Sequence, residues 1–149
     1  MAEAALSDAR QARDEAATPV FRVDDEQWVW GSVGERFVIA TLTMEQGPPL
    51  SSLILRAGGE DFRWLAPSTD SYESEGQEKQ FASVAPGKTI DLVAQMEHQG
   101  PSQFELNVIL ECVEDGEHRR QWTVRRIVTA REAPQPDPVP SFRTGRRGR

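Results

Sequence analysis

The chain has 149 residues, 38% of them hydrophobic and 28% charged, with a mean hydropathy of −0.56. That size suits one domain with loose ends, and the composition is lean for a globular protein without being that of a disordered one. It excludes a membrane span and a disulfide-stapled mini-protein, because no run approaches the ~18 apolar residues of a membrane helix and Cys112 is the only cysteine.

The N-terminus, Met1-Ala2-Glu3-Ala4-Ala5-Leu6, lacks the basic start and apolar stretch of a signal peptide. A cytoplasmic location is the expectation. The formal net charge of −7 is unevenly spread: residues 20–132 carry 19 acids and 11 bases, whereas residues 133–149 carry four arginines and one acid, Asp137. An acidic body repels phosphate backbones, so nucleic acid is expected to bind weakly at most, and only through the tail. The 15 arginines against two lysines fit the coding bias of a high-GC genome, bacterial or phage.

Residues 1–19 form an alanine-rich arm. Helix propensity is high there, but Leu6 is the only large apolar side chain before Pro19 besides Met1. The arm therefore reads as a frayed helix or a flexible segment. Between residues 20 and 131 the texture changes to short apolar or alternating runs separated by turn residues. The expected strands cover 26–31, 36–45, 52–56, 61–65, 80–84, 89–98, 103–113 and 117–130. Gly47-Pro48-Pro49, Gly58-Gly59, Pro86-Gly87, Gly100-Pro101 and Asp115-Gly116 punctuate them. The run 36–45 is apolar on both faces and suits a central strand. Residues 132–149 are rich first in proline, which favours an extended chain, then in arginine and glycine, and read as a disordered tail.

The last two strands permit a register argument. Phe104, Leu106, Val108, Leu110 and Cys112 alternate with mostly polar residues. A three-residue loop at Glu114-Asp115-Gly116 would set Leu106 against Val124 and Val108 against Trp122 on the core side. It would also pair Glu105 with Arg125 and Glu111 with Arg119 outside. A two-residue loop would turn Trp122 and Val124 outward. The three-residue register places Arg120 and Arg126 on the core side. There they either cover apolar surface with their stems, pair with a buried acid, or line a partner-binding edge.

No catalytic sequence of the nucleophile-elbow, metalloprotease or phosphate-loop kind occurs, and His98 and His118 sit beside turns as solvated residues do. Two histidines and one cysteine make no zinc site of the usual spacing, and Asp24-Asp25-Glu26 reads as a solvated acidic turn. No cofactor, metal or catalytic residue is assigned. Cys112 reads as a small buried hydrophobe.

The expected architecture is all-β: a single antiparallel β-sandwich over residues 20–131 with flexible tails. In strand number and turn spacing it resembles immunoglobulin and fibronectin-type modules. The expected function is that of a non-catalytic protein-interaction module or small accessory subunit. A structural component of a phage-like particle and a carbohydrate- or ligand-binding sandwich are the alternatives. Candidate partner contacts are Phe62, Trp64 and Tyr72, which flank or lie in a long polar loop, and Arg120 and Arg126. Arg143, Arg146, Arg147 and Arg149 are candidate tail contacts.

Overall fold

A computed structural model describes residues 17–31, 34–69, 74, 76–97 and 99–134. The N-terminal arm up to residue 16, Tyr72, His98 and the four tail arginines lie outside the described residues. The chain forms eight strands: β1 (Val20–Trp30), β2 (Arg36–Gln46), β3 (Leu50–Gly58), β4 (Phe62–Leu65), β5 (Glu78–Val84), β6 (Thr89–Met96), β7 (Gln103–Glu114) and β8 (Gln121–Arg131). They make two four-stranded antiparallel sheets, β1-β2-β6-β4 (sheet A) and β5-β3-β7-β8 (sheet B). The described residues contain no helix long and apolar enough to cross a membrane.

Alternation explains why these segments pair as they do. Val38, Ala40, Leu42 and Met44 of β2 point to the same side as Ile90, Leu92, Ala94 and Met96 of β6. Leu53 and Leu55 of β3 point inward with Phe104, Leu106, Val108, Leu110 and Cys112 of β7. Side chains from both sheets share one buried cluster, the arrangement of a sandwich. Removing one of the larger members, Leu55 for example, to alanine is expected to cost about 2–5 kcal/mol.

The sheets are joined at both sides. At one side the Ala133 N–H donates to the Trp28 carbonyl at 2.8 Å, beside a parallel bridge between Trp28 and Glu132. At the other side the Leu65 N–H donates to Gly76 at 2.7 Å. Gly47 packs where the chain leaves β2; its φ is +120°, and a Cβ there would lie 2.9 Å from the Pro19 Cα, so only glycine fits.

Two expectations are corrected. The acidic triplet Asp24-Asp25-Glu26 is not a turn: it lies inside β1, at a bulge where Asp25 has φ +56°. The β7–β8 hairpin keeps the expected faces but shifts by four residues, setting Leu110 against Val124, Cys112 against Trp122 and Val108 against Arg126. The expected outer pairs are replaced by Glu105 with Thr129 and Glu111 with Thr123.

The physical reason is the loop. Glu114 does not sit in a tight turn; it forks with Arg120. The Arg120 Nε donates to Glu114 Oε1 at 3.0 Å and its Nη2 to Oε2 at 2.8 Å. The Glu114 N–H donates to the Arg120 carbonyl at 2.8 Å. This clamp closes a loop over residues 115–119, in which Gly116 and Arg119 have positive φ.

The Arg120 hydrogen bonds hold the buried Glu114 carboxyl well below the ordinary range, at about 2. The folded state therefore binds this proton more weakly than the unfolded chain. Its contribution to stability is complete above about pH 4.5 and is lost as pH falls toward 2. Urea titrations across that window should show the wild type losing stability. Glu114→Gln should be less stable at neutral pH and flatter across the same window. Burial also pushes the Cys112 thiol up to about 12. A thiol reagent at pH 8 should leave Cys112 unmodified in the folded chain and label it once urea unfolds the protein.

Candidate binding groove

Sheet A presents an unusual outer side. By alternation with the core positions, Val29, Phe37, Ile39, Val93 and Trp64 face away from the other sheet, together with Thr41, Asp91 and Gln95. An outer face that only meets water alternates to polar residues. Phe37 is fully buried although it stands outside the cluster between the sheets. Gly31 lies against it so closely that a Cβ there would be 2.7 Å from the Phe37 ring.

Along this side runs a groove of about 370 Å³. Ile39 and Thr41 of β2 floor it, with Val93 of β6. Asp25 and Gln27 of β1 form one rim. Asp91 lines it from β6, and Pro67, Ser68 and Thr69 wall the far side. The bulge in β1 is what brings Asp25 to the rim, since it breaks the pairing between Asp24 and Gln27. Neither Asp25 nor Asp91 has an ion-pair partner among the described residues. Arg22, on the same strand, is committed to Asp24 at 2.6 Å and Glu45 at 2.9 Å. Chemically the groove is an apolar trough edged with carboxylate, amide and hydroxyl groups.

The residues singled out from sequence scatter. Phe62 turns inward and packs against the core, whereas Trp64 turns outward beside Gln95; a register shift between them separates the two rings onto opposite sides of β4. The Arg63 guanidinium lies 4.8 Å from the Trp64 ring centroid. The Trp64 indole nitrogen is buried and has no hydrogen-bond partner. Arg120 is occupied by Glu114. Arg126 is exposed on β8, at the edge of sheet B remote from β4 in the strand order. These side chains do not form one surface.

A second feature absent from the sequence reading is a cage at the end of the sandwich. Arg36 is only 4% exposed, with its guanidinium 4.4 Å from the Phe104 centroid and 5.1 Å from that of Trp28. Its Nη1 donates to the Pro101 carbonyl at 2.7 Å and its Nε to Glu97 at 3.2 Å. The Trp28 Nε1 donates to the Ser102 carbonyl at 2.9 Å. Trp30 stands edge-on to Trp28 at 5.2 Å, is 50% exposed, and donates to Glu132 at 3.0 Å.

Among the described residues, no group of three or more His, Cys, Asp or Glu side chains is placed to hold a metal ion. On the outer side of sheet B a second depression of about 390 Å³ involves Arg56, Asn107 and Ile109. Ile127 on the adjacent strand is 60% exposed. There Arg56 is held by Glu78 and Glu111. Comparison with known proteins returns no matching family model and no matching curated sequence.

The cage is structural and can be tested as such. Arg36→Ala removes a buried cation that two carbonyls and the rings of Trp28, Trp30 and Phe104 enclose. It should lower stability by about 2–4 kcal/mol, read as a drop in the urea midpoint with a change in tryptophan emission.

Proposed function

We propose that the chain is a non-catalytic protein-interaction module, acting as a small accessory subunit of a larger assembly. It engages its protein partner through the groove on the outer side of sheet A. The observation that carries this reading is the pairing of an apolar floor, Ile39 and Val93, with rim carboxylates, Asp25 and Asp91, that have no ion-pair partner among the described residues. Apolar ground of this kind on a solvent-side sheet face marks a contact surface, and groups fixed on strands hold their geometry better than groups on loops.

The fold itself is read as immunoglobulin-like. Supporting this is the order β1-β2-β6-β4 opposite β3-β7-β8, which corresponds to the A-B-E-D and C-F-G arrangement of constant-type immunoglobulin domains. β5 is an additional strand beside β3. Modules of that architecture serve unrelated functions, so the function rests on the groove and not on the fold.

The test uses two substitutions at outward positions. Thr41→Trp fills the groove floor; Ile127→Ser alters the opposite sheet. A partner captured from native lysate and then purified should bind Thr41→Trp at least about tenfold more weakly than wild type, ~1.4 kcal/mol, and bind Ile127→Ser unchanged, with both variants melting cooperatively. The reverse pattern would move the contact to sheet B and overturn the assignment.

A further inference from the structure

We propose that the arginine-bearing end of this same chain, residues 141–149, occupies the sheet A groove and competes there with the partner. The inference rests on the reading of that groove as the docking site, and it names the groove's preference: an extended segment carrying guanidinium groups.

Charge is the first argument. The groove is edged by Asp25 and Asp91, with Asp24 and Glu26 adjacent on β1. The nearby cation on β1, Arg22, is already neutralised by Asp24 and Glu45. Residues 141–149 carry Arg143, Arg146, Arg147 and Arg149 and no acid. Guanidinium groups suit such rims because the planar fork meets carboxylates with two donors, while the side-chain stems cover the apolar floor.

Reach is the second argument. The described chain leaves the sandwich at Ala133, whose N–H is bonded to the Trp28 carbonyl on β1, the strand that carries Asp25 and Gln27. Trp28 is about 10 Å along the strand from Asp25. Ten residues separate Ala133 from Arg143, and a chain of that length can span at most ~33 Å. The tether therefore covers the distance with length to spare for crossing the β1 edge. A tether this short gives an effective concentration in the millimolar range, so a contact too weak to hold as a separate peptide is populated within the chain.

The experiment follows the methyl resonances of Ile39 and Val93 in the full-length chain. It compares wild type with a full-length variant in which Arg143, Arg146, Arg147 and Arg149 are all glutamine. At low salt the two sets of resonances should differ. Raising salt to about 0.5 M should move the wild-type set onto the variant, because exposed pairs are screened. A synthetic peptide of residues 141–149 should restore the wild-type positions in the variant, and should bind wild type about fivefold or more weakly than the variant. Asp25→Asn with Asp91→Asn should abolish the difference.

Identical groove resonances in wild type and variant at low salt would overturn the inference. Equal peptide affinity for the two would also overturn it while keeping the groove as a site for basic segments of another molecule. No peptide binding to either would overturn the charge preference, and the docking reading would then stand or fall on Thr41→Trp.

Discussion

Trp28 is where the two sheets are made one body. Its ring is buried in the shared core and meets Phe104 of β7 at 5.9 Å. Its indole N–H reaches the Ser102 carbonyl in the β6–β7 connection. Its backbone carbonyl receives Ala133 beyond β8, and Arg36 at the head of β2 stacks on its face. Three stretches of the chain, at residues 36, 102–104 and 133, meet at this one residue. A tryptophan suits this task because it offers a large apolar body and one donor, so it can be buried deeply only where a fixed acceptor waits for that donor.

The same corner accounts for the buried arginine. A guanidinium out of water is costly unless its donors are met. At Arg36 the Nε and Nη1 donors are met by carbonyls of the turn before β7 and the cation lies against aromatic faces, while Nη2 is buried with no hydrogen-bond partner among the described residues. Weak hydration and a planar shape make arginine the cation best able to tolerate that exchange. The Gly100 backbone passes beside it: a Cβ there would come within 3.0 Å of Arg36 Nη2. The turn and the cation therefore constrain one another.

The sequence made the strands legible because period-two alternation is a direct record of which side meets the core, as in Phe104, Leu106, Val108, Leu110 and Cys112. Register was less legible. A slip of four residues keeps every β8 side chain on its expected side, so hydrophobic pattern cannot tell Leu106 opposite Val124 from Leu106 opposite Val128. The Glu114–Arg120 fork decides it, and two charged residues six apart in a turn-rich stretch carry no local signal. The groove was hidden for a related reason. The run 36–45 is apolar on both faces, and alternation alone does not say which face the second sheet covers, so nothing in the sequence marks Ile39 and Val93 as facing outward together. Trp28 and Trp30 have the same parity in β1, yet one is buried and one half exposed, because the second sits at the strand's last position, where the core ends.

The Glu114–Arg120 clamp has a consequence for how this chain tolerates change in length. The clamp and the Asp115 N–H bond to Pro49 at 2.9 Å anchor the base of the loop, so its tip around Gly116 is uncoupled from the ladder that follows. Lengthening a flexible loop twofold costs only ~0.6 kcal/mol of closure entropy, and here added residues would not transmit a shift into β7 or β8. The tip is thus a natural port for grafting: an epitope, a fluorophore-bearing tag or a second small domain could be carried there, on a part of sheet B remote from the groove.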